Sequence, residues 1–321
     1  MQLQLPKILQ TQQVLHPHIR QTPLVRSPSL SQLSGADVWL KLENWQPTGS
    51  FKIRGALSKL SRLTSAQREL GIVAASAGNH ALGVAFAVEK LGGFRADIFV
   101  PGTAPKAKLD KLTHYPVTLH KVGDTYEDAH QAAANFAAET GALEISAYDD
   151  VDVVAGQATV ALEIFQQRPQ ADVVLVPVGG GGLIAGIATV AQALSPRCRV
   201  VGVQPEASPA ALLSLQQGIA IDPYDHEPTL ADGLAGGFGA VPFALAYDKI
   251  DTIVLSSEAA MRQAIFWLLH RHQLVVEASG AIAITPLLTN SVDLSGLTVV
   301  CVLSGGNLET AVLRDILQEF N

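Results

Sequence analysis

Short aliphatic runs, apolar on both faces, alternate along this chain with longer segments whose apolar residues recur every three or four positions. The runs predict strands at residues 38–42, 72–75, 96–100, 117–121 and 143–146, then at 173–178, 200–203, 252–255 and 299–303. The longer segments predict helices at 79–91, 126–140, 154–166, 183–194 and 259–270. Strands buried on both faces and separated by helices imply parallel sheets covered on each side, an α/β fold. Glycine and proline punctuation is local and no repeat or low-complexity linker appears, so a second domain is expected to be inserted rather than appended. Residues 222–243 lack periodicity, and long irregular segments in such proteins tend to line sites.

Composition narrows the function classes. The 321 residues are 48% hydrophobic and 16% charged, which allows a large core, excludes wholesale disorder and suggests about two domains or one large α/β unit. A net charge of −7 gives no bulk field toward phosphate backbones or anionic lipid, so neither nucleic acid nor membrane is expected as a partner. The two cysteines, Cys198 and Cys301, sit in apolar stretches that read as strands, making neither a disulfide framework nor a zinc site. The N-terminus lacks the basic start and apolar run of a signal peptide, and no stretch reaches the length of a membrane span. A cytoplasmic location is expected.

Four constellations carry chemistry. Gly179, Gly180, Gly181 and Gly182 lie between a buried strand and a helix, where bare backbone and the positive helix end suit a phosphate. The same stretch also satisfies GxGxxA, with Glu206 downstream, so a dinucleotide reading stays open. Lys52 follows the cap-type residues Thr48 and Ser50 and precedes Arg54. A helix N-terminus and a neighbouring cation would lower its pKa toward that of a reactive amine, although such spacing is more often that of a surface lysine. Ser76-Ala77-Gly78-Asn79-His80 falls at a strand-to-helix turn, suited to a carboxylate or phenolic oxygen and equally to a plain N-cap. Ser304, in Ser304-Gly305-Gly306-Asn307, places a hydroxyl at a strand's carboxyl end or simply opens a turn.

Together these four supply a phosphate cradle, an activated lysine, an anion-binding turn and a lone hydroxyl. From Thr22 onward the chain resembles the fold-type II pyridoxal 5'-phosphate (PLP) enzymes, the threonine/serine dehydratase and serine racemase group. KLENWQPTGSFKIRGA, SAGNHALGVA, VAGQATVALE, VPVGGGGLIAGIA, VEASGA and VLSGGN occur in that family's order and spacing. The resemblance implies a tryptophan synthase β-like fold of two parallel-sheet domains. Residues 1–71 with 149–321 would form the large PLP-binding domain, and 72–148 the small inserted one that closes over substrate. It implies that Lys52 joins the cofactor aldehyde and later acts as base on Cα, with Phe51 beside the ring. Gly179 to Gly182 would hold the phosphate, Asn79 the ring oxygen and Ser304 the pyridine nitrogen, with Gly233 nearby. Ser76, Ala77, Gly78, Asn79 and His80 would receive the substrate carboxylate. Glu277 matches an acid near the ring, with no proton-transfer role assigned. A serine at the ring nitrogen makes a weaker electron sink than an aspartate would, favouring direct loss of a β-leaving group.

The implied activity is β-elimination from L-threonine and L-serine, giving a 2-oxo acid and ammonia, in a homodimer. A sibling dehydratase for 3-hydroxyaspartate, phenylserine or a hydroxyectoine-derived substrate shares every motif. A serine racemase would carry a second serine where Ala77 stands, and Ala77 cannot reprotonate Cα. The acidic residues of the family's divalent-cation site are replaced by Gln204 and Ala210, so no metal is expected. The chain's end soon after its last helix predicts no regulatory C-terminal domain. The remaining histidines, among them His16, His18, His270 and His272, are expected in solvent, and Asp222, Asp225, His226 and Glu227 in a solvated loop.

Overall fold

A computed structural model describes residues 3–104 and 106–320, apart from the side chains of residues 107 and 108. Ten strands form two sheets: β1 (Leu24–Arg26), β2 (Asp37–Leu42), β3 (Ile72–Ala75), β4 (Ala96–Val100), β5 (Thr118–Lys121), β6 (Leu143–Glu144), β7 (Val173–Pro177), β8 (Arg199–Pro205), β9 (Thr252–Ser256) and β10 (Thr298–Leu303). The larger sheet runs β1-β2-β10-β7-β8-β9 and the smaller β5-β4-β3-β6. Every pairing is parallel except the edge pair β1–β2, which is antiparallel. That edge corrects the all-parallel expectation, since three residues with a half-exposed pattern leave no apolar run to read.

The apolar runs are buried on both faces for a visible reason. In β7, Val174 and Val176 face one apolar layer while Val173 and Leu175 face another. The first layer holds the helices Val151–Gln167 and Gly182–Leu194, and the second the helix Glu258–His272. The smaller sheet divides likewise: Ile72 and Ala74 pack on the helices Asn79–Leu91 and Lys52–Ser61, and Val73 and Ala75 on Tyr126–Thr140. Each fully buried Leu or Ile side chain contributes about 1.5–3 kcal/mol to this arrangement. Cys301 lies buried in β10, but Cys198 sits in the turn before β8, its N–H donating to the Ser195 carbonyl at 2.8 Å.

The helix Lys52–Ser61 joins both layers. Ile53, Leu57 and Leu60 enter the core of the smaller sheet. On its other side a methyl on Gly156 would meet Gly55 Cα at 2.7 Å, so this helix and Val151–Gln167 cross almost backbone to backbone. Beside that crossing lies a buried ion quartet. Arg54 donates from Nε and Nη2 to Glu43 (2.8 and 2.7 Å) and from Nη1 and Nη2 to Glu163 (2.8 and 2.9 Å). Lys41 Nζ donates to Glu163 at 2.6 Å and to the Thr22 carbonyl at 2.7 Å. Two cations meet two carboxylates, so the cluster is neutral, as groups this deeply buried must be. Burial raises the Glu43 carboxyl, but the Arg54 guanidinium overcomes this and holds it below the usual carboxylate range.

Candidate active site

The carboxyl ends of the strands converge on one cleft. After β7 the chain passes through Gly179 and Gly180 to Gly181, whose φ of +91° turns it into the helix Gly182–Leu194. No side chain among the described residues caps that helix, so its first-turn N–H groups and positive dipole end remain for a ligand. The turn is lined by close neighbours: a Cβ on Gly179 would stand 2.8 Å from Leu234 Cα, beside Gly233. Gly233 in turn donates its N–H to Ser279 Oγ at 3.2 Å. Only bare backbone fits here, which is what the cradling of a phosphate requires.

The lysine is held by the Ser304 turn. Ser50 bridges Gly305, and the Phe51 N–H donates to the Ser304 carbonyl at 3.0 Å. Ser304 Oγ donates to the Ser279 carbonyl at 3.1 Å, tying the hydroxyl to the Gly233 side of the site. Lys52 is the first residue of its helix, its Nζ 5.3 Å from the Phe51 ring centroid and donating to the Ala147 carbonyl at 3.2 Å. Burial lowers its pKa to about 8, with the Glu277 carboxylate opposing. The expected cause is therefore corrected: Arg54 points the other way, its charge consumed by Glu43 and Glu163, and desolvation does the work. The Thr48 and Ser50 hydroxyl oxygens of the same turn are buried without a protein partner among the described residues. A desolvated amine, orphan hydroxyls and a glycine-lined turn fit the aldehyde, ring and phosphate of PLP.

The third wall is the turn after β3. Ser76 Oγ accepts from the Gly78 N–H at 3.1 Å, and Ala77 follows half-buried. Asn79 opens the helix Asn79–Leu91; its Nδ2 donates to Glu277 at 2.7 Å and its Oδ1 accepts from Asn307 at 2.6 Å. Asn307 also accepts from Lys111 at 2.8 Å, so a residue of the helix Lys106–Leu112 reaches the cleft. A Cβ on Gly83, one turn along the Asn79 helix, would stand 3.0 Å from the Lys52 carbonyl carbon, so these two helix starts touch. His80 turns away from the cleft. Its Nε2 lies 2.7 Å from the Ile145 carbonyl, which can only accept, so Nε2 carries the proton. Burial, then the Lys52 charge, lowers its pKa to about 4 and keeps it neutral.

Lys52, Phe51, Ser304, Asn79, Gly179 and Gly233 are thus linked directly or through Ser279, Glu277 and Asn307, and the Ser76–His80 turn adjoins them through Asn79. Sequence reasoning missed Tyr148, whose ring lies on Gly180, and Lys111, whose charge-rich helix reads as a solvated face. His272 is not solvent-exposed but half-buried, 2.9 Å from Ser27 Oγ and 3.3 Å from Ser29 Oγ. Gln204 caps a helix: its Oε1 accepts from the Ala211 and Leu212 N–H groups at 3.1 and 3.3 Å. No helix among the described residues is long and apolar enough to cross a membrane.

The chain is similar to several known proteins over nearly its whole length. L-threonine ammonia-lyase of Thermotoga maritima is 38% identical over 316 residues, spanning 98% of this chain and 78% of that one. The catabolic L-threonine dehydratase TdcB of Escherichia coli K12 is 37% identical over 312 residues, spanning 96% and 94%. Among solved structures, maize serine racemase superposes with a TM-score of 0.92 at 29% identity, covering 98% of this chain and 97% of its own. The processed form of threonine deaminase isoform 2 from Solanum lycopersicum does so at 0.91 and 30%, covering 99% and 89%. A family model described as pyridoxal-phosphate dependent enzyme matches residues 15–305, a span that holds both sheets. The chain belongs to the pyridoxal-phosphate dependent enzymes.

Proposed function

We propose that this enzyme removes the β-hydroxyl and the α-amino group of L-threonine and L-serine, releasing ammonia with 2-oxobutanoate or pyruvate. The observation that carries the reading is the meeting of lysine and glycine turn. Lys52 Nζ rests on the Ala147 carbonyl, and the ring of the next residue, Tyr148, lies against Gly180. The substrate choice rests on relatives named for threonine at 37–40% identity, and on Ala77 standing where a racemase needs a proton donor.

The chemistry supplied by bound PLP is an aldehyde that joins amines and a ring that accepts electrons from a breaking Cα–H bond. In this reading Lys52 would hold the aldehyde and, as a free amine, would be the group that takes the Cα proton on Nζ. Its lowered pKa leaves a useful share of free amine near neutrality. The N–H groups of Gly179, Gly180, Gly181 and Gly182 would hold the phosphate, with Gly233 against them. The Ser304 hydroxyl, which here donates to the Ser279 carbonyl, would turn its single proton to the ring nitrogen. Asn79 spends one amide N–H on Glu277 and would turn the other to the ring oxygen, and Phe51 would pack beside the ring. Backbone N–H groups of the turn from Ser76 through Ala77, Gly78 and Asn79 to His80 receive the substrate carboxylate. His80 steadies that turn through the Ile145 carbonyl. We place the closing unit at residues 72–148, excluding water as it closes on the rest. We further propose a cytoplasmic homodimer.

The test is a panel of β-hydroxy amino acids assayed for 2-oxo acid release. Threonine and serine should lead, ahead of 3-hydroxyaspartate, phenylserine and hydroxyectoine-derived substrates. Negligible turnover of both would refute the assignment, as would recovery of racemised serine without matching ammonia.

A further inference from the structure

Tyr148 occupies a place that the reaction as described does not use. Its ring fills the space a Cβ on Gly180 would take, and a Cβ on Gly182 would stand 3.2 Å from its Cα. On the other side a Cβ on Gly239 would stand 2.9 Å from the same ring. The ring is therefore clamped between the glycine turn and the segment that leads into the helix Ala240–Ala246. Its hydroxyl donates to Asp222 Oδ2 at 3.0 Å. The next residue repeats the pattern: Asp149 Oδ1 accepts from the Val241 N–H at 2.6 Å. The Gly239 N–H closes the circuit by donating to the Gly180 carbonyl at 3.2 Å. Burial, then the Asp222 charge, raises the Tyr148 phenol, so it keeps its proton and stays a donor.

We propose that Tyr148 is a positioning residue for the phosphate cradle: ring clamped and hydroxyl tethered to Asp222, it sets the shape in which the Gly179–Gly182 turn meets the cofactor. This rests on the reading of that turn as the phosphate site. A phenylalanine in its place keeps the clamp and loses the tether. The turn is then held by the ring alone, and its N–H groups must be ordered at the moment of binding.

The experiment titrates the full-length apoprotein with PLP and, separately, with pyridoxal, which lacks the phosphate. Tyr148→Phe and Asp222→Ala should each weaken PLP binding roughly three- to tenfold, the range for the net worth of one ordinary hydrogen bond. Pyridoxal binding should stay within twofold, and the double variant should be no weaker than either single one. The apoprotein's melting temperature should barely move. Unchanged PLP affinity in Tyr148→Phe would overturn the proposal, as would equal losses for PLP and pyridoxal, additive losses, or melting that falls in step with affinity. If wild-type protein bound PLP no better than pyridoxal, the phosphate reading itself would fail.

Discussion

Glu163→Gln tests the part of the architecture on which the lysine depends. Glu163 accepts from Lys41, from both Arg54 Nη atoms and from the Thr22 N–H. Losing its charge leaves Arg54 and Lys41 facing Glu43 alone, one uncompensated cation where the Arg54 and Lys41 side chains are wholly buried. Breaking a buried pair from one side costs about 3–5 kcal/mol. Unfolding entropy near 2.1 cal/mol/K per residue makes this a fall of about 4–7 °C in melting temperature for a chain this long. Urea unfolding of the apoprotein, followed by tryptophan fluorescence and circular dichroism together, gives the number and shows whether the transition is two-state. The second arm is Lys41→Met with Glu163→Gln. Removing one charge of each sign leaves the neutral Arg54–Glu43 fork, so the double variant should lose about 2 kcal/mol less than the sum of the single losses. A Glu163→Gln loss under about 1 kcal/mol, or strict additivity, would refute the argument.

Three further outcomes follow from the same geometry. Reductive methylation of apoprotein, mapped by mass spectrometry, should half-label Lys52 near pH 8; a midpoint close to 10.5 would show that burial does not depress this amine. His80 has a folded pKa of about 4 against 6.5 unfolded, so the unfolded chain binds the proton first as pH falls. The stability it contributes is intact above pH 6.5 and drains away toward pH 4, roughly 3 kcal/mol in all, and His80→Gln should flatten that limb of the profile. Gly156→Ala should cost about 1–3 kcal/mol, because the new methyl overlaps the Arg54 carbonyl and Gly55 Cα. Unchanged stability would mean the two helices can part freely.

Much of this was legible in the sequence because burial on both faces leaves an unambiguous mark. All nine anticipated strands are present, and the helices Asn79–Leu91 and Tyr126–Thr140 carry the expected bounds. The three turns at strand ends and the helix start at Lys52 stood out because glycine, serine and asparagine concentrate there. What stayed hidden was long-range. Nothing in the three residues of β1 signals pairing with β2. Arg54 looked like a cation acting on Lys52, and only the fold reveals that Glu43 and Glu163 claim it. The Tyr148–Asp222 link spans 74 positions and joins a residue with no motif to a loop that read as solvated.

The most direct measurement is to load the purified enzyme with PLP, reduce it with borohydride, digest it and locate the added pyridoxyl mass. The account predicts that mass on Lys52, together with loss of 2-oxo acid release in Lys52→Ala. A label on another lysine, or a Lys52→Ala protein that still released ammonia at the wild-type rate, would contradict it.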